Sequence, residues 1–417
     1  MILRKIIVYT QAMGYYNFIL GTSMKSWLNR NIIGFCSASF FADWCQEMGI
    51  AILPMFVAQL TGPARAPFAL GVIQGIADAG STGMKLLSGW LADRVVFYKP
   101  FLIAGYGIAG IFFALIGLAK TIWFVLLCKM IAWLARGIRQ PIRDTWITKI
   151  VPISLYGRVF GLQRAWDTLG ALAGPLSAFL LLKMEFSLSS IFLIAIIPAL
   201  FSVASIVFLT EEGGWQRDGV ITIGFVEQLK SLPKDFVFFL FVLFLFGLGN
   251  FNHALLIYRV QELFGYERSL VVATTSGVLL YAFFNIVRAL SEFSIGTLSD
   301  YVDRKWLLAI LGFGFFGVTC IGFMATTTHI LYWLFFFGCA GLSAGTVKVL
   351  KKAHAAYIVP EYSRGAGLGL VETVEGIGNL LSSIIVGFLW TAAAPTVGLT
   401  YAAILSFVAM GFLFVKK

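Results

Sequence analysis

The stretch from Phe101 to Leu118 carries no charged side chain, and neither do Ile191–Leu209 or Phe236–Leu248. Segments of this kind suit a helix crossing a hydrocarbon core ~30 Å thick, where each backbone polar group must be satisfied within the helix itself. The composition extends the argument to the whole chain, with 59% hydrophobic and only 12% charged residues, against about 25% charged in soluble proteins. An ordinary soluble enzyme is excluded, and a polytopic membrane protein is expected. The formal net charge is +11, but the basic residues are dispersed through short connections, so nucleic acid is not expected as a partner. The cysteines Cys36, Cys45, Cys128, Cys320 and Cys339 lie in apolar stretches without Cys-x-x-Cys spacing, which points to buried thiols and away from disulfides or zinc. No cofactor is expected.

The hydropathy pattern places spans at 32–60, 68–91, 100–119, 121–149, 158–182, 188–210, 235–262, 269–297, 306–326, 330–357, 364–390 and 397–415. The organisation expected is a tail, 1–31, a bundle over 32–210, a polar linker over 211–234 and a second bundle over 235–417. The tail holds Arg4, Lys5, Lys25 and Arg30, with Gln11, Tyr15, Tyr16 and Asn17 interrupting any apolar core. It makes a poor secretory signal and reads as a cytoplasmic, interface-lying segment. Alternate connections collect Arg94, Lys99, Lys149, Arg158, Arg217, Lys230, Lys234, Arg304, Lys305 and Arg364, whereas the others hold only Arg65, Lys120, Lys183 and Arg268. The positive-inside rule then puts both termini in the cytoplasm. Compact loops suggest a bacterial inner membrane.

The two sides of the linker match. Gly89-x-Leu91-Ala92-Asp93 corresponds to Gly296-x-Leu298-Ser299-Asp300 at an offset of 207 residues, while Val151-Pro152 and Val359-Pro360 stand 208 apart, as do Gly161-Leu162 and Gly369-Leu370. Several matches in order indicate an internal duplication, which places a binding site between the repeats near the bilayer midplane.

Gly89-Trp-Leu-Ala-Asp93-Arg94 and its duplicate Gly296-Thr-Leu-Ser-Asp300, running on to Arg304 and Lys305, resemble the loop motif of the major facilitator superfamily. Lys129 through Arg136, Gly137, Arg139 and Pro141 is similar to that family's fourth-helix pattern, with Lys129 where an arginine implicated in proton transfer usually stands. Gly170-x-x-x-Gly174-Pro175 resembles the core of the motif found in its proton-driven exporters, although Ala178 and Phe179 replace the closing glycines. The resemblance implies an all-α membrane protein with twelve transmembrane helices in two pseudo-symmetric six-helix bundles. Its nearest type by motif is the drug/proton antiporter, working as a monomer.

Charged groups inside spans persist where they face a cavity or a partner. Asp43 and Glu47 stand one turn apart on the first span, and Asp78 and Lys85 lie on the second. Paired carboxylates in a low dielectric can take up and release a proton near neutral pH. Asn250, Asn252 and His253 on the seventh span and Asn285, Arg288 and Glu292 on the eighth add polar groups, with Arg288 suited to an anionic moiety. The expected substrate and proton-coupling set is Asp43, Glu47, Asp78, Lys129, Arg136, Asn250, His253, Asn285, Arg288 and Glu292. Arg164 and Asp167 on the fifth span correspond to Glu372 and Glu375 on the eleventh. With Gly89, Asp93, Arg94, Arg139, Gly296, Asp300 and Arg304 they are expected to form an inner gate, substrate contact being an equal alternative for the four charged residues of the fifth and eleventh spans. Lys348, Lys351 and Lys352 read as orientation charges.

The function expected is secondary transport of a small organic solute by alternating access, exported in exchange for protons. The partners are then that solute, protons and the bilayer. An alternative is import, or a metal-cation carrier using Asp43, Glu47 and His253; another is a non-transporting receptor or scaffold. An enzyme is the weakest reading: His253, His329 and His354 are the sole histidines, and none pairs with an evident nucleophile.

Overall fold

The computed structural model describes residues 28–92, 97–151, 155–212, 232–267, 269–299, 301–359 and 364–415. Among them all regular structure is helical. The first half of the chain forms α1 (Arg30–Thr61), α2 (Ala66–Ala92), α3 (Lys99–Leu115), α4 (Ile122–Ile150), α5 (Tyr156–Lys183), α6 (Leu188–Ile194) and α7 (Ile196–Leu209). The second half forms α8 (Lys234–Gly247), α9 (Ala254–Glu267), α10 (Leu270–Leu298), α11 (Arg304–Leu307), a π-helix at Leu308–Gly314, α12 (Phe315–Gly322), α13 (Ile330–Ile358), α14 (Arg364–Ala392) and α15 (Pro395–Val415).

Side-chain caps fix several helix starts. Asn29 accepts from the Ile32 amide at 2.9 Å, and Ser187 from the Ser190 amide at 3.1 Å, each satisfying a donor that the first helical turn leaves open. Gly62 ends α1 at φ 79°, a left-handed conformation natural to glycine. Short connections make successive long helices antiparallel. One end of the molecule, the near end, therefore holds Arg30, Lys99, Ile150, Thr210 and Val415. The far end holds Thr61, Ala66, Lys183, Leu188, Ala392 and Pro395. Cross-links within the near end agree with this, as Arg30 pairs with Glu211 at 2.6 Å and Lys99 Nζ donates to the Thr210 carbonyl at 2.6 Å.

Nine described helical segments are long and apolar enough to cross a membrane by length and composition. Helices α2 and α4 are also long, but α4 carries Lys129, Arg136, Arg139, Arg143, Asp144 and Lys149, and α2 carries Asp78 and Lys85. The continuous seventh span expected over 235–262 is corrected: the chain leaves the helix after Gly247 and resumes it at Ala254. The cause is local. Gly249 abuts α15, where an added methyl would stand 2.9 Å from the Ala402 carbonyl oxygen, and the Asn252 side chain accepts from the Ala254 amide at 3.0 Å to start α9.

The expected tail 1–31 and linker 211–234 lie almost wholly outside the described residues, as do Asp93, Arg94 and Asp300. At the far end the two halves of the chain meet at backbone distance. A methyl at Gly387 would stand 2.6 Å from the Pro67 carbonyl oxygen, and one at Gly71 would collide with that of Ser383. Tyr258 donates to the Pro63 carbonyl at 2.7 Å. These contacts seal that end.

Candidate functional site: a charged central cavity

Between the halves lies a cavity of about 660 Å³. Toward the near end its wall includes Asp144, Arg164 and Lys352, whose side chains are 47%, 53% and 52% exposed. With the far end sealed, the cavity opens toward the near end.

The acids of α1 are positioned by α5. A methyl at Gly174 would stand 2.6 Å from the Met48 amide nitrogen and 2.8 Å from Glu47 Cβ, and one at Gly170 would strike the Phe40 carbonyl oxygen. The Gly-x-x-x-Gly segment is thus the bed on which α1 lies, and the bond from Trp44 Nε1 to Ser177 Oγ at 2.9 Å fixes its rotation. Asp43 and Glu47 consequently both line the cavity. Asp43 Oδ1 is 3.9 Å from Arg136 Nη2. Glu47 is 8% exposed, and its Oε2 accepts from the Tyr281 hydroxyl of α10 at 2.7 Å.

Asp78 is held by two neutral donors, Trp133 Nε1 on Oδ1 and Asn252 Nδ2 on Oδ2, both at 2.9 Å. Asn252 therefore caps α9 with its oxygen and grips Asp78 with its nitrogen. Two cavity carboxylates are in this way bonded to the opposite half of the chain, Glu47 through Tyr281 and Asp78 through Asn252. Asn250, His253, Asn285 and Arg288 also line the cavity. The His253 ring lies 4.6 Å from that of Phe284.

Nearer the mouth lies an ionic layer. Glu292 takes Lys348 at 2.6 Å, Arg288 at 3.8 Å and Arg164 at 3.8 Å, and Arg164 also meets Asp167 at 3.7 Å. Lys351 pairs with Glu375 and Glu372, and Lys352 with Glu372 at 3.0 Å. These three lysines, expected as orientation charges, each also neutralise a cavity carboxylate.

Other expected residues fall elsewhere. Lys129 is fully buried with its ammonium 4.0 Å from the Trp133 ring, and it does not line the cavity. Arg139, expected at the gate, is 3% exposed and lies 4.2 Å over the Tyr106 ring, again away from the cavity. Gly296 makes no close helix contact, since a methyl there would meet Val349 at 3.8 Å. Arg304 lies 5.6 Å over Tyr357. Among the described residues no group of three or more His, Cys, Asp or Glu side chains could hold a metal ion, so Asp43, Glu47 and His253 do not form the cation site of the metal-carrier alternative.

Tyr281 was not among the expected residues, although its spacing carried a signal. Tyr281, Asn285, Arg288 and Glu292 follow each other at four, three and four positions, one stripe of a helix. Arg143, 8% exposed and donating to Ser39 Oγ at 2.5 Å, was likewise missed.

The sequence profile of the Major Facilitator Superfamily matches residues 35–292 and 273–417. The chain belongs to this superfamily. An uncharacterized MFS-type transporter of Methanocaldococcus jannaschii is 30% identical over 386 residues, 91% of this chain and 93% of that one. The multidrug resistance protein MdtH of Photorhabdus laumondii is 30% identical over 199 residues, 46% of each chain. Among solved structures, a POT family transporter in complex with 5-aminolevulinic acid aligns at TM-score 0.74 and 12% identity, covering 93% of this chain and 96% of that one. The nucleoside transporter NupG aligns at 0.68 and 14%, covering 94% and 97%. At such identities these structures speak for the fold alone.

Proposed function

We propose that this superfamily member is a secondary transporter that exports a small polar organic solute in exchange for protons. In this reading twelve spans form two six-helix bundles, acting as a monomer in a cytoplasmic membrane with both termini inside. The observation that carries it is the pair of cavity carboxylates, Glu47 and Asp78, each bonded across the halves. An ionised carboxylate accepts a strong hydrogen bond from a neutral donor, and protonation removes one acceptor site and weakens that tie. Proton uptake therefore changes how firmly the halves hold together. A proton falling through 100 mV supplies about 2.3 kcal/mol, enough to move a two-state balance substantially. The charge-lined cavity favours a polar solute over an apolar drug.

The test is flux in proteoliposomes under an imposed pH gradient, with solutes taken from a thermal-shift screen at two pH values. Glu47→Gln and Asp43→Asn are expected to abolish gradient-driven flux while leaving expression intact. Wild-type flux in both variants would remove these carboxylates from the mechanism.

A further inference from the structure

Acidic and basic side chains line the cavity in equal number, yet they are not equally engaged. Lys348, Lys351 and Lys352 are committed to Glu292, Glu375 and Glu372, and Arg143 to Asp144 at 3.1 Å. Lys85 lines the cavity without an ion pair within 4.0 Å among the described residues, but its ammonium lacks the planar fork that grips a carboxylate. Arg164 stands between two carboxylates and is half exposed.

Two arginines differ. Arg136 of α4 and Arg288 of α10 come from opposite halves, each with a side chain 25% exposed. Among the described residues neither donates a hydrogen bond, their paired carboxylate oxygens being 3.9 and 3.8 Å away. Each guanidinium lies against an aromatic ring, Trp133 at 5.6 Å and Phe284 at 5.7 Å, which holds its plane without filling its donors. Glu47 is close enough to interact electrostatically with both. Meanwhile Glu47 and Asp78 are satisfied by neutral donors, with no cationic nitrogen within 4.0 Å among the described residues.

We infer that the solute is a small zwitterion carrying an amine and a carboxylate, its ammonium at Glu47 and Asp78 and its carboxylate gripped by Arg136 and Arg288. This rests on the carrier reading above and adds the chemistry of the cargo. A bare cation would leave the two guanidiniums unfilled, and a bare anion would leave the two carboxylates facing it; a zwitterion meets both. A cavity of about 660 Å³ admits an amino acid or short peptide. The ammonium and the proton then compete for the same carboxylates, which is the condition for exchange. The carboxylate also bridges the halves, since one arginine comes from each.

The test uses the purified full chain and a matched panel: alanine, dialanine and trialanine, their methyl esters, which keep only the cation, and their N-acetyl forms, which keep only the anion. At least one parent zwitterion is expected to bind ~10-fold or more tighter than both of its derivatives. Arg136→Gln and Arg288→Gln are expected to bring parent and ester within about twofold by weakening the parent alone. Arg288→Lys, which keeps the charge without the planar fork, is expected to be intermediate. Should the glutamine variants fail to fold, the wild-type panel still decides. An ester or N-acetyl form binding as tightly as its parent overturns the inference, and so does a panel in which no zwitterion binds. Esters that are exchanged for protons would sink the inference and spare the carrier reading. Zwitterions that bind without pH-driven flux would do the reverse.

Discussion

Removing the Tyr281 hydroxyl isolates the tie between the halves from the carboxylate it serves. Tyr281 is 5% exposed, and its 2.7 Å bond to Glu47 joins α10 to α1. Tyr281→Phe keeps the ring and its stacking on Phe284 at 5.7 Å, so the loss is confined to one hydrogen bond. A bond to an ionised group contributes about 1.5–3 kcal/mol. If it exists only in the state open to the near end, its loss shifts the balance away from that state by about 10- to 150-fold. Ala289 lines the cavity, and the native cysteines are all buried, so labelling of Ala289→Cys by an impermeant maleimide from the near side reads the open population. The rate is expected to fall in Tyr281→Phe, and to fall less in a Glu47→Gln background, where the lost bond is neutral. A labelling rate unchanged within about twofold, or an equal fall in both backgrounds, would refute the reasoning.

Two predictions concern packing and charge. Gly174→Ala places a methyl against the Met48 amide and Glu47 and is expected to lower stability by about 1–3 kcal/mol, whereas Gly161→Ala, with nothing within 4 Å, should hold or raise the thermal midpoint through helix propensity; equal midpoints would contradict the bed described for α1. Lys351→Met strands Glu375, whereas Glu372 keeps Lys352 at 3.0 Å, and its destabilisation of about 3–5 kcal/mol should shrink in Lys351→Met/Glu375→Leu; additive losses by calorimetry would show that the pair does not act together.

Much of this architecture was legible because lipid leaves few options for a chain with charge-free runs, and because buried charges announce themselves against them. Asp43, Glu47 and Asp78 stood out as charges where hydropathy forbids charges, and all three line the cavity. What the residues did not reveal was which face and depth each charge takes. Lys129 and Arg139 share α4 with Arg136, yet Lys129 sits two turns nearer the far end on almost the same face and falls beyond the cavity, while Arg139, three positions on, is rotated off that face against Tyr106. Hydropathy also hid the break after Gly247, because Leu248 and Phe251 keep the segment apolar while Gly249 and Asn252 end one helix and begin the next. Tyr281 escaped notice because an aromatic ring in a span reads as lipid-facing bulk, and its partner lies 234 positions away.

Closure of the far end supplies a final test, because contacts made at backbone distance discriminate between states. Gly387 and Gly71 permit α14 and α2 to touch, and in any arrangement that opens the far end those helices must separate. A methyl at Gly387 would stand 2.6 Å from the Pro67 carbonyl oxygen and 3.2 Å from Phe68 Cα, neither of which is a flexible side-chain tip. Overpacking of this kind costs about 1–3 kcal/mol, but only in the state where the contact exists. Gly387→Ala should therefore lower the near-side labelling rate of Ala289→Cys by ~5-fold or more, and expose to far-side reagent a cysteine at Thr391, whose hydroxyl now accepts from the Phe68 amide at 3.1 Å. A general fall in thermal midpoint with both access patterns unchanged would mean that this glycine serves packing alone, and that the far-end seal is not a moving part.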